Sequence, residues 1–436
     1  MCRSIHLVAM VGLCAVLAAS VWSQSAVADP ESYVITQIPP LAGFTYVSAG
    51  ALSSKGLIGG ESTTGSAFVS TPFLWTPAGP NEATGSETDL PAGGLASYNP
   101  YTITSKGVIG GEDFATAKTM FILKNGTTRK LGSTYKDYGF YAMNDNNVAV
   151  LNFAGIPAAY NVNTNKYTNL PLLSGFVYAA ATSINDSGEV VGYAYNDYTY
   201  ASDAVGVYWP SIASAPEEIS PVQSEATALN VDGEAVLQHL ISLDSGWGDF
   251  TYWSEATGIV DSNVFSPWGV RINDRDIVLG LDGNTDTPFV WTPGGGEIYL
   301  DDAVPFTVEQ ITAFNAAGQF IAENNIYPVS SWYLLTPNVS IESVTLPKGT
   351  TVVGPKFIQV TVTIAHPVFA NTVVTLRSND AAITAPPQIT IPMAETTHTF
   401  TAHVLAVTTS TDVQLTATAD GPYGPTMADV TVTVNP

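Results

Sequence analysis

Cysteine is nearly missing from this chain. Its two copies, Cys2 and Cys14, sit at the very start, so from residue 29 onward there is no disulfide or thiolate chemistry. Histidine is almost as scarce: after His6 come only His239, His366, His398 and His403. Three of these lie beyond residue 338, so no zinc site built on several histidines can be assembled before it. His398 and His403 are an odd number apart and point to opposite faces of a strand. Basic residues are few as well. The chain has 14 Lys+Arg against 38 Asp+Glu, a net charge of −24. That field repels nucleic acid and anionic lipid and favours cations, neutral glycans or basic partners. Acidity that only maintains solubility is the plainer alternative. Helical periodicity is absent too, as are a nucleophile elbow, a phosphate loop and a dinucleotide fingerprint.

Long apolar runs occur only at the start. Arg3 is followed by a mostly apolar stretch from Leu7 to Val21, then by the small-x-small sequence Ala26-Val27-Ala28. Residues 1–28 therefore read as a secretory signal peptide. Trp22-Ser23-Gln24 ends the run too early for a membrane anchor, and Leu13 stands before Cys14 where a lipoprotein signal needs a small residue. The expectation is a secreted, extracellular bacterial protein with no membrane insertion after cleavage.

What the chain does have is a repeat. An apolar run, a four-residue turn and a second apolar run recur seven times, with turn-closing residues Gly56, Gly107, Asn147, Gly188, Gly233, Asp276 and Gly318. Three positions earlier stand Ser53, Thr104, Asn144, Asn185, Asn230, Asn273 and Asn315. Such residues bond the backbone two positions on, and Gly, Asn or Asp at the turn's end tolerates the left-handed region. Four positions after the anchors, Gly60, Gly111, Gly192, Gly280 and Ala322 are small, while Leu151 and Leu237 are not. An aromatic-rich run follows six of the turns, as in Phe73-Leu74-Trp75, Tyr208-Trp209 and Phe289-Val290-Trp291, while the third copy has only Ala158-Ala159-Tyr160. About four short strands per repeat at this period is the pattern of a β-propeller blade. The seventh copy lacks a fourth strand, and Tyr33-Val34-Ile35-Thr36-Gln37-Ile38 is free to supply it. The predicted fold is all-β: a seven-bladed β-propeller over 29–337, closed by the N-terminal strand.

Ile184-Asn185-Asp186-Ser187-Gly188 with Val190-Val191-Gly192, followed by an aromatic-Trp strand, resembles the bacterial extracellular HAF repeat. The resemblance covers roughly residues 33–337. The His-Ala-Phe triplet of that family is replaced here by Thr71-Pro72-Phe73 and Thr287-Pro288-Phe289. The resemblance implies a secreted repeat protein of no settled biochemical activity and supplies no catalytic residues.

From 338 to 436 the pattern changes to strict alternation, as in Val360, Val362 and Ile364 against Gln359, Thr361 and Thr363. About seven strands fit an immunoglobulin-like β-sandwich without its disulfide. Thr372 to Asn379, Ile389 to Pro392 and His398 to Phe400 are similar to bacterial cell-surface Ig-like modules. Pro337-Asn338 leaves almost no linker, which places this domain beside the propeller.

Candidate binding residues cluster in the loops between second and third strands. The fourth copy offers Tyr193, Tyr195, Asp197, Tyr198, Tyr200 and Asp203; the fifth adds Asp244, Trp247, Asp249 and Phe250. Flat rings with flanking carboxylates suit an extracellular glycan or cell-surface partner; rings packed onto blade edges are the competing reading. Asp282, Asn284 and Asp286 alternate like the opening of a calcium loop, but the downstream Gly and Glu are missing and a plain turn is preferred. No other cofactor is suggested. The leading expectation is a non-catalytic binding or scaffolding protein. A glycan-active hydrolase or lyase using the same acidic and Tyr residues is the alternative, and a structural envelope or matrix protein the third reading.

Overall fold

The structure is a computed structural model that describes residues 32–436 except 65–69, 92, 114–118, 134–137, 197–202, 221–222, 243–245, 267, 294–295, 327–328 and 369. The leader at 1–28 lies outside the described residues. The described chain is all-β, with one short 3-10 turn at Leu300–Ala303 and no helix long and apolar enough to cross a membrane.

Up to Pro337 the chain forms seven four-stranded antiparallel sheets. Six are contiguous in sequence, over 46–89, 99–133, 138–169, 178–218, 224–265 and 268–299. The seventh takes Gln310–Phe314, Phe320–Ile326 and Val329–Pro337 and adds Tyr33–Ile38 at its edge, antiparallel to the last of them. The third copy, which showed only Ala158-Ala159-Tyr160, is complete as well, with strands Ile156–Asn161 and Lys166–Asn169.

Each sheet opens with the hairpin set by the repeat. All seven closing residues have positive φ, from 59° at Asp276 to 87° at Gly188, so Asn147 and Asp276 take the conformation that glycine takes elsewhere. In four copies the Asn heading the turn bonds in two directions. Its Oδ1 accepts amides of its own turn, as Asn315 does from Ala317 and Gln319 at 3.1 Å each. Its Nδ2 donates to the carbonyl of the matching residue in the next sheet: Asn144 to Asn185 (2.8 Å), Asn185 to Asn230 (3.0 Å) and Asn273 to Asn315 (3.0 Å). Asn315 does the same to Ser53, 262 residues away, at 3.0 Å. The last of the seven sheets is thus bonded to the first.

The sequence did not reveal a second regularity. Every first strand carries a β-bulge at one place: Gly50, Tyr101, Tyr141, Thr182, Thr227 and Thr312 stand unpaired, with residues 269–270 in the sixth sheet. A bulge re-aims its residue and increases twist. Three of the bulged threonines use this to reach the next sheet: Thr182 to the Ala226 carbonyl, Thr227 to Val270 and Thr312 to Ala49, each at 2.7 Å. Alanines on these strands, among them Ala49, Ala180 and Ala226, are fully buried. The small residue on the second strand has a steric cause: a Cβ on Gly192 would lie 1.9 Å from the Ala180 carbonyl oxygen.

Apolar cores run between neighbouring sheets. Ile38, Trp332 and Leu334 pack with Val47, Phe73 and Trp75, joining the seventh sheet to the first. Residues beyond 338 form two further sheets around one separate core that includes Val360, Val362 and Val432. They hold nine strands rather than about seven, the extra ones being short, Thr351–Val353 and Ile383–Thr384. This part sits on the turn side of the seventh and first sheets. Ala370 joins the core around Ile277 and Phe320, and the Ala83 amide donates to the Pro422 carbonyl at 2.7 Å.

Replacing Asn315 by Ala removes the bonds to Ser53 and to its own turn and leaves buried partners unbonded. Urea unfolding is expected to show a loss of roughly 2–4 kcal/mol; an unchanged midpoint would contradict the bridging role.

Candidate functional site

The turns of all seven sheets meet around a depression of about 270 Å³. In six of the seven sheets the residue after the turn-heading position faces it, and three of these are aspartates. Each carboxylate accepts an amide of the preceding sheet: Asp145 from Ser105 (2.6 Å), Asp186 from Asp145 (2.7 Å) and Asp274 from Val231 (3.0 Å). Burial, together with the charges of Asp186, Asp232 and Asp145, raises the Asp274 carboxyl above its usual range, against the pull of the Val231 amide. These acids act first as cross-links.

Outside this ring a second position repeats the device. Glu189 lies between the Asn185 amide and the Tyr208 hydroxyl, each at 2.5 Å. Glu234 takes the Asn230 amide at 3.0 Å, and Asn230 also donates to Asp276 at 2.9 Å. Burial and the neighbouring Glu234 push the Asp276 carboxyl up to about 7. Burial opposes ionisation of Glu234 too, but hydrogen bonds from Asp276, Tyr252 and Asn230 hold it below its usual value. The two carboxyls therefore hold one proton between them near neutrality.

The opposite ends of the second strands carry a third set of bridges. Glu61 accepts the Tyr98 amide, Glu112 the Phe140 amide, and Gln238 donates to the Ser266 carbonyl, each at 2.8 Å. The only advance signal for these was that the three residues stand at one offset from their anchors. His239 pairs with the Thr251 hydroxyl at 2.9 Å, and burial lowers its pKa.

The candidate loop residues divide. Tyr178, Tyr195 and Tyr193 form a ladder with ring centroids 5.5 and 5.6 Å apart; Tyr195 is buried and the outer two are half-buried. Asp203 accepts the Asn196 amide through both oxygens, at 3.0 and 3.1 Å, and fixes the base of that loop. Asp197, Tyr198, Tyr200 and Asp244 lie outside the described residues. Trp247 falls on the strand Gly246–Ser254, paired with Leu240, and Asp249 on the same strand is exposed. Phe250 belongs to the core, not to the loop face: it is fully buried and meets the Trp291 ring edge-on at 5.3 Å.

Asp282, Asn284 and Asp286 form a tight turn. The Asp282 carboxylate receives the Tyr299 hydroxyl at 2.6 Å and the Asn284 amide at 2.7 Å, and the Asp286 amide donates to the Asp282 carbonyl at 2.8 Å. The Asp282 oxygens, the first that would face an ion, are engaged within the protein. Among the described residues, no group of three or more His, Cys, Asp or Glu side chains is placed to hold a metal.

No protein-family model and no curated protein matches the chain. Similar solved structures are distant. One is a fungal alcohol oxidase of the AA5 family in complex with copper, at 10% identity over 94% of this chain and 100% of that one, with a TM-score of 0.43. Another is a chain of the mitotic checkpoint complex, at 14% identity over 69% and 93%, with a TM-score of 0.42. Likenesses this weak carry no argument about function.

The Asp276–Glu234 pair gives a pH dependence of definite sign. A carboxyl raised from 3.8 to about 7 on folding contributes stability that is complete below the lower value and lost as pH rises through the upper one. The urea midpoint is expected to fall between pH 5 and 8.5, and Asp276→Asn, which keeps the left-handed turn, should reduce that fall. An equal fall in the variant would contradict the assignment.

Proposed function

We propose that the seven sheets are the blades of a closed seven-bladed β-propeller, with Tyr33–Ile38 as the outer strand of the last blade. The region beyond residue 338 is then an immunoglobulin-like sandwich resting on the turn side of the disc. In this reading the protein is a secreted, non-catalytic binding or scaffolding protein that recognises an extracellular glycan or cell-surface component. The bond from Asn315 to Ser53 supports closure. The tyrosine ladder of the fourth sheet carries the choice of ligand class: its rings are ordered in series, and two of them keep part of their surface open. Ordered rings bind sugar CH faces with little loss of side-chain entropy.

A second reading has a specific observation behind it. Asp276 and Glu234 share a proton near Tyr252, with the pKa of one raised and of the other lowered, and pKa values pushed apart in this way are what acid–base hydrolysis or elimination of a glycan uses. Against it stands the use of the same groups as bridges between sheets.

A glycan array with the secreted protein, run with and without calcium, separates the readings. Binding that falls about tenfold or more in Tyr193→Ala, a loss of about 1.4 kcal/mol, supports the binder. Absence of binding by a folded protein removes the ligand class. Product release from a polysaccharide panel, lost in Glu234→Gln, would replace the binder by the enzyme.

A further inference from the structure

A group of unbonded donors lies where the two parts of the chain meet. A cavity of about 410 Å³ there is lined by Arg275 from the sixth turn and by Asn371, Thr372, Thr418 and Asp420 from beyond residue 338. Through Thr375 and Thr418 it continues into a groove of about 640 Å³ along the larger of the two C-terminal sheets, which adds Arg377 and Met427.

The chemistry of this cleft is unlike that of the rest of the surface. Two of the chain's 14 basic residues line it, and neither makes an ion pair with a carboxylate among the described residues. Arg275 gives Nη1 to the Asn371 carbonyl. Burial lowers its guanidinium pKa, and Asp420 offsets this only in part. A half-buried guanidinium that makes no ion pair and is only partly compensated by Asp420 gains from an added anion, and its planar fork fits a carboxylate in a bidentate way. Asn371 fixes its Oδ1 on the Met393 amide at 2.9 Å, which leaves its Nδ2 as a donor. Asp420 is an acceptor in the same cavity, so a fitting ligand brings hydroxyl donors as well as negative charge. Val339, Val368 and Met427 supply apolar surface for ring CH groups. The combined volume of cavity and groove suits several linked units rather than one.

We propose that this cleft binds a carbohydrate chain that carries carboxylate groups, with Arg275 and Arg377 receiving the carboxylates and Asn371, Thr418 and Asp420 the hydroxyls. The overall negative charge does not forbid this. Exposed charges are screened over roughly 8 Å at physiological salt, and beyond residue 338 only six acids face three bases. The inference rests on the binding reading for its ligand class but uses a different surface.

Calorimetric titration of the secreted protein with a hexamer of galacturonic acid, against cellohexaose as the neutral match, tests it. The uronate is expected to bind at least about tenfold more tightly, and to weaken as salt is raised. Arg275→Gln and Arg377→Gln should each weaken it by about tenfold. Arg377 is exposed, so its variant should keep the wild-type urea midpoint and separates lost binding from lost folding. Equal affinity for the two hexamers, no uronate binding, or full affinity in a folded Arg377→Gln protein would overturn the proposal. Neutral-glycan binding abolished by Tyr193→Ala, with no uronate binding, would keep the binding reading and sink only this cleft.

Discussion

The structure depends on one side chain that bonds in two directions. An asparagine heading a turn caps its own hairpin through oxygen and takes hold of the next hairpin through nitrogen. Neither serine nor threonine can do both, and the copies that carry them show it. Ser53 and Thr104 cap their own turns. The link from the second sheet to the third passes instead through Asp145, which accepts the Ser105 amide. The first sheet reaches the second through Glu61 at the other end of the strand. Each bond is worth only about 1 kcal/mol net, but a missing one leaves a buried polar group unbonded, which is the larger penalty. Register between sheets is therefore specified by polar groups, while the apolar cores supply most of the stabilisation.

This arrangement also explains why so many acidic residues say so little about activity. Asp145, Asp186, Glu189, Glu234 and Asp282 all accept internal donors. A carboxylate so engaged is a poor acid–base catalyst unless its partners release it. Two places depart from this pattern: the Asp276–Glu234 pair, where two acids share a proton, and the junction cleft, where it is guanidinium groups that make no ion pair.

Much of the architecture was legible in the residues. The anchors marked the left-handed turn of all seven repeats, including those at Asn147 and Asp276, because the steric limit on φ > 0 leaves few choices. The unclaimed run Tyr33–Ile38 pairs with the last strand. The bulges were not legible, since Gly, Tyr, Thr and Val share no chemistry that announces an extra residue. Nor was the role of the acids, because a carboxylate that bridges two backbones looks in sequence like one that faces water. Phe250 was misplaced for a related reason: it stands beside Asp249 in the middle of the strand Gly246–Ser254, and only strand parity decides which of the two turns inward. The cleft escaped notice because Arg275 and Arg377 are 102 residues apart and meet one groove only once the two parts are docked.

The pairing of Tyr33–Ile38 with Val329–Pro337 joins the first and last strands of the seven-sheet region. Amide hydrogen exchange followed by mass spectrometry reads it without any substitution. Peptides covering Tyr33–Ile38 should exchange as slowly as those covering Val329–Pro337 and open together with them. Rapid exchange of the leading strand, while its partner stays protected, would show that the seventh sheet ends without it and would contradict the proposed closure.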